Sequence, residues 1–165
     1  MSCPALRTAQ WRLILAKLRQ ADYIEEEKLD DVSVEERMSN LKVLVADDNE
    51  DAAKTVVMLI STFGAQVTVA HDGEQAVTKA MDIRPHLILM DIGMPGMDGY
   101  EACRNIRAQS WGKDICIVAL TGWSQDSDKQ KTKEAGFSKH MVKPVSLMDI
   151  EVLLDECQRD LGPED

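Results

Sequence analysis

Three carboxylates, one hydroxyl and one ammonium stand in this sequence where short apolar runs end. Val43-Leu44-Val45-Ala46 leads into Asp47-Asp48, and Leu87-Ile88-Leu89-Met90 leads into Asp91. Ile115 to Leu120 leads into Thr121-Gly122, and His140-Met141-Val142 into Lys143-Pro144. Two adjacent carboxylates repel a bare phosphate but attract a hard cation, which takes oxygen ligands. A nucleotide-binding turn would carry glycines at that point instead. A carboxylate held beside a metal can attack phosphorus and form an acyl phosphate. Asp91 therefore reads either as that nucleophile or as a third ligand of a simple cation site. Lys143 tips the balance, because an ammonium is superfluous to a cation site but neutralises a phosphoryl oxygen. Thr121 offers a hydroxyl that can donate to another such oxygen. Each residue also has a plainer reading. Asp47, Asp48 or Asn49 can cap the next helix, Thr121 can be a turn residue, and Lys143 a solvated strand end. Their joint placement favours a phosphoryl site.

Such residues need elements that bring them together. Short apolar runs alternating with longer amphipathic segments read as buried parallel strands with crossover helices. The pattern predicts strands at about 42–46, 66–70, 86–91, 115–120 and 139–142. It predicts helices at about 50–63, 73–83, 98–108, 125–135 and 146–160, with Asp98 as a cap. Gly64, Gly73, Gly112 and Gly136 punctuate the turns. Right-handed crossovers give a three-layer α/β sandwich. In an open parallel sheet, ligands bind at the carboxyl ends of the strands, which is where these side chains fall.

With 165 residues, the chain can bury a core without staples. A net charge of -10 argues against nucleic-acid binding, which needs Lys and Arg against phosphate. Cys3, Cys103, Cys116 and Cys157 are widely spaced without a CxxC pair and read as reduced thiols. No apolar run approaches the roughly 20 residues that span a bilayer, and no signal-peptide core opens the chain. The expectation is a soluble, cytoplasmic protein with no membrane contact. Residues 1–40 read as a helical extension or linker, basic up to Ala21 and mostly acidic from Asp22. Trp11, Ile14, Leu15 and Leu18 make one apolar stripe, which must find cover on its own domain or across a homodimer. Residues 162–165 form a tail.

Residues 41–161 closely resemble the receiver domain of two-component response regulators. The resemblance rests on Asp47-Asp48, Asp91 with Met94-Pro95 and Asp98-Gly99, Ala119-Leu120-Thr121-Gly122, Ala135-Gly136 and Lys143-Pro144. It implies a flavodoxin-like fold with a doubly wound five-stranded parallel sheet in the order 2-1-3-4-5. It implies that Asp91 accepts phosphate from a phosphohistidine on a histidine kinase or histidine phosphotransfer protein. Mg²⁺, or Mn²⁺ in its place, would be held directly by Asp48 and Asp91, by the backbone carbonyl of Gly93, and by Asp47 mainly through water. Lys143 would contact the phosphoryl group, and Lys143-Pro144 would be a cis peptide. Thr121 would move towards the phosphate and carry with it the face of the fourth helix, fifth strand and fifth helix, which a downstream protein effector reads. Two positions depart from the pattern. His140 stands where the family places an aromatic switch residue, and Trp123 stands two residues after Thr121, as a partner contact or a lid. The chain then reads as a signalling phosphoacceptor rather than a turnover enzyme, either a single-domain regulator or the receiver of a hybrid histidine kinase. A metal-dependent phosphatase with an Asp nucleophile is the alternative from another class. Such enzymes commonly place a second acid two residues beyond the nucleophile, and here that position is Gly93.

Overall fold

The computed structural model describes residues 38–122 and 126–161. Five strands and five α-helices alternate: β1 Lys42–Ala46, α1 Glu50–Ser61, β2 Gln66–Ala70, α2 Gly73–Ile83, β3 Leu87–Asp91, α3 Gly99–Arg107, β4 Cys116–Thr121, α4 Asp126–Ala135, β5 Lys139–Val142 and α5 Leu147–Asp160. The strands pair in parallel in the order β2-β1-β3-β4-β5, as expected from the sequence. The predicted boundaries hold to within two residues. Asp98 caps α3 as expected, and Ser146, placed inside a helix by the pattern, stands just outside as the N-cap of α5. A short 3₁₀ turn over Ser110–Gly112 was not anticipated.

Period-two alternation in the central strands builds two cores. Val43, Val45, Leu87, Leu89, Val118 and Leu120 face one side, where Ala53, Val56 and Ile60 of α1 and Ile150, Leu153 and Leu154 of α5 cover them. Leu44, Ile88, Met90, Ile117 and Ala119 face the other, under Ala76 and Ala80 of α2, Ala102, Cys103 and Ile106 of α3, and Ala135 at the end of α4. Strands buried on both faces read as continuous apolar runs, and this is why the runs were so plain in the sequence. Alanines in α2 and α3 let those helices lie close to the sheet. Met38, ahead of β1, is buried in the first core, so the packed unit reaches at least to that residue.

The crossovers return each chain segment to the same sheet edge. Ala46 pairs with Met90, and Asp91 pairs with Leu120, while Thr121 pairs with Val142. The residues that follow β1, end β3 and β4, and follow β5 are thereby set side by side. Gly136 closes α4 at φ 97°, a left-handed conformation that suits glycine. Arg107 ties this region together, its guanidinium donating to the carbonyls of Gly136 at 2.8 Å, Gly112 at 2.6 Å and Ile115 at 2.7 Å. No helix among the described residues is long and apolar enough to cross a membrane.

Candidate functional site

The turn after β1 allots its three polar residues different work. Asn49, with extended φ and ψ, caps α1, its side-chain oxygen accepting from the amides of Asp51 at 3.0 Å and Ala52 at 3.1 Å. Asp47 and Asp48 are thereby released from capping. Asp47 is 1% exposed. Its Oδ1 accepts the Asn49 amide at 2.9 Å and its Oδ2 accepts the Lys143 ammonium at 2.7 Å. Asp48 is exposed. Asp91, the last residue of β3, is half-buried and lies 3.1 Å from Lys143 Nζ. Carboxylate oxygens of Asp47, Asp48 and Asp91 fall within 4.8 Å of one another. The chemistry of the donor set fits a small hard cation: three oxygen donors, one still open to solvent, and no thiol or imidazole in the cluster.

Electrostatics follow from this packing. Burial pushes the Asp91 carboxyl above its ordinary value; the Lys143 hydrogen bond and charge oppose that, the Asp47 charge adds to it, and the Gly93 amide opposes it. For Lys143, burial alone would lower the ammonium, but hydrogen bonds to Asp47 and Asp91 outweigh it and the net direction is upward. The ammonium thus stays charged while it bridges two carboxylates from different strand ends. Gly99, at the start of α3, runs against the same loop. A Cβ there would lie 2.5 Å from the Asp91 carbonyl oxygen, so only glycine lets α3 begin this close. Asp98 caps that helix by accepting the Glu101 amide at 2.8 Å.

Thr121 is 6% exposed and ends β4. Its hydroxyl makes a long hydrogen bond of 3.4 Å to the Met141 carbonyl, and its own carbonyl accepts the Lys143 amide at 2.8 Å. The Lys143–Pro144 peptide is cis, as the resemblance implied. His140 is partly buried on β5 opposite Ala119. Gly93 presents its amide to the Asp91 carboxylate. Trp123 and the stripe Trp11, Ile14, Leu15 and Leu18 lie outside the described residues.

The structure brings Asp47, Asp48, Asp91, Gly93, Thr121 and Lys143 together at this edge, while His140 lies within β5. Sequence reasoning left two supporting residues unassigned. Asn49 was one of three equivalent candidates for the cap. Gly99 was seen only as part of the Asp98-Gly99 motif, and its close approach to Asp91 had no local signal.

Comparison with known proteins agrees with this geometry. Protein PilG of Pseudomonas aeruginosa is 34% identical over 113 residues, which cover 68% of this chain and 84% of that protein. Response regulator MprA of Mycobacterium avium is 31% identical over 125 residues, 76% of this chain but only 54% of MprA. Among solved structures, the chemotaxis protein CheY4 of Vibrio cholerae is 32% identical with a TM-score of 0.68, covering 71% of this chain and 98% of that one. The receiver domain of the sensor histidine kinase PA1611 of Pseudomonas aeruginosa is 32% identical, again at a TM-score of 0.68, over 72% of this chain and 98% of that domain. It carries a magnesium ion coordinated in its active-site cleft. A response regulator receiver domain model matches residues 43–155. With sheet order, site and relatives in agreement, the chain belongs to the response regulator receiver domain family of two-component signalling.

Proposed function

We propose that Asp91 is the phosphoacceptor of a two-component phosphorelay, charged from the phosphohistidine of a histidine kinase or histidine phosphotransfer protein. The observation that carries this reading is the Lys143 ammonium, 2.7 Å from Asp47 and 3.1 Å from Asp91, beside an open carboxylate at Asp48. In the transfer, an Asp91 carboxylate oxygen attacks phosphorus in line as the phosphorus–nitrogen bond to the donor histidine breaks. Lys143 exchanges its contact with Asp91 for a phosphoryl oxygen while it keeps its bond to buried Asp47. Asp48, Asp91 and the Gly93 carbonyl would hold Mg²⁺ directly. Asp47 would act through water, since both its oxygens already have protein partners. When bound, the cation neutralises charge on the transferred group.

The same reading extends to output. The 3.4 Å bond from Thr121 to Met141 is weak, and a phosphoryl oxygen would be a stronger acceptor for that hydroxyl. A turn of Thr121 towards phosphate would free the β5 carbonyl and bias the face of α4, β5 and α5. Val142, Leu147, Met148 and Val152 are exposed there, which suits a protein effector. Phosphotransfer partners of this kind are known structurally: a Saccharomyces cerevisiae phosphotransfer protein crystallised with the receiver domain of its downstream regulator, a domain 25% identical to this chain at a TM-score of 0.71. In this role the protein acts in the cytoplasm, as a phosphoacceptor rather than as a turnover enzyme.

Acetyl phosphate with Mg²⁺ tests the proposal. Intact mass should show one added phosphoryl group on the parent, none on Asp91→Asn, and sharply less on Asp48→Ala at limiting Mg²⁺. Equal labelling of parent and Asp91→Asn would overturn the assignment. Steady turnover of a small phosphate ester would favour the phosphatase reading instead.

A further inference from the structure

At the amino-terminal edge of the sheet, opposite the carboxylate site, a groove of about 300 Å³ opens between strand starts and the end of α5. Arg84, His86, Trp111, Cys116, Cys157 and Asp160 are among its lining residues. Arg84 stacks over the Trp111 ring at 4.5 Å and forms one wall. Cys116 is the first residue of β4, and Cys157 lies in the last turn of α5. Their sequence separation gave no hint of proximity, yet both belong to the same core face and both line this groove. The two thiols are neighbours, each acting on the other's proton. The nearby Cys157 lowers the Cys116 thiol below its ordinary value. Burial opposes the shift, while Ser138 and the charges of Lys139 and Arg107 reinforce it. Cys157 is raised by the same contact and by its burial, and keeps its proton. Lys139 is itself paired with Glu156, and Asp160 faces the groove from α5. The arrangement sets a thiol shifted towards its thiolate form beside a protonated neighbour, next to a groove open enough for a small oxidant.

We propose that Cys116 and Cys157 form a hydroperoxide-sensitive dithiol that closes to an intramolecular disulfide between β4 and α5. The Cys116 thiolate attacks the distal peroxide oxygen, the oxygen–oxygen bond breaks, and the alkoxide or hydroxide leaves and takes a proton. Cys116 is then a sulfenic acid. Cys157 attacks that sulfur, the sulfur–oxygen bond breaks, and water leaves with the Cys157 proton. Two thiols are oxidised by two electrons and one peroxide is reduced. The bond would fasten the last turn of α5, the helix whose other end carries exposed Leu147 and Met148. This inference does not depend on phosphorylation at Asp91.

The full chain carries four cysteines, and Cys103 serves as an internal control, because burial pushes its thiol up to about 11. Treatment of the reduced protein with one equivalent of hydrogen peroxide should remove two alkylatable thiols under denaturing conditions. A non-reducing digest should join the Cys116 and Cys157 peptides, and dithiothreitol should reverse both changes. Cys157→Ser should instead accumulate a sulfenic acid at Cys116, trapped by dimedone. A cross-link through Cys3 or Cys103, or over-oxidation of Cys116 without a cross-link, would overturn the proposal. So would four intact thiols after peroxide is consumed. The parent's peptide map decides even if a serine variant fails to fold.

Discussion

Asp91 sits in a place that disfavours its own charge. Its carboxyl is raised by burial and by the neighbouring Asp47 charge, and the Lys143 bridge only partly offsets this. The sign of the stability effect follows from proton binding. A carboxyl with a folded value above its unfolded one holds more protons in the folded state. Stability is therefore lost as pH rises from the unfolded value of 3.8 through the folded value, and the full cost is present at neutral pH. Asp91→Asn should melt higher than the parent at pH 7 without metal, and the gap should shrink as pH falls towards the unfolded value. Thermal denaturation of both proteins at several pH values measures this, and a lower melting point for Asp91→Asn at pH 7 would contradict it. Asp47, Asp48, Asp91, Thr121 and Lys143 were legible in the sequence, because strand-end position and residue chemistry are both local. Which of Asp47, Asp48 and Asn49 would cap α1 was not, since all three side chains can do so and the choice depends on backbone angles.

At the scale of elements, what matters is how firmly the helix starts are held at the site edge. Asn49 and Gly99 do this by different means. Asn49→Ala removes the cap of α1 and should cost about 1 kcal/mol, with the site residues left in place. Gly99→Ala forces a Cβ against the Asp91 carbonyl, where the gap would be 2.5 Å. It should displace the end of β3 and cut acetyl phosphate labelling far more than Asn49→Ala does. Equal labelling of the two variants, measured by intact mass beside denaturant titration, would show that the close approach is relaxed cheaply. The strands were easier to read than their connections. A continuous apolar run as short as Leu87–Met90, bounded by polar residues, fits a strand buried on both faces and little else. The 3₁₀ turn at Ser110–Gly112 and the Arg107 clamp depend on carbonyls brought together by the fold, up to 29 residues from Arg107 in the chain, and left no pattern to find.

Among the described residues, the five strands and both cores lie within 38–161, and Met38 is 5% exposed. Deletion of residues 1–37 should leave a folded domain that still takes phosphate from acetyl phosphate. Sedimentation of the full chain and the shortened one tests the dimer expectation: a larger species for the full chain supports it, and two monomers exclude it. The charge of -10 is carried mostly outside the site, so salt should affect encounters with partners more than the Lys143 bridge. The sheet order has one further consequence. β2 and β5 are the outer strands, and β5 offers only Lys139–Val142. It opens with a lysine paired to Glu156 and is followed within two residues by Pro144, which has no amide hydrogen to donate. A stretch this short, charged at one end and stopped at the other, is a poor template for a strand from another molecule. A partner docking at this face would therefore have to recognise side chains rather than extend the sheet, and the domain can expose apolar residues there without inviting edge-to-edge polymerisation.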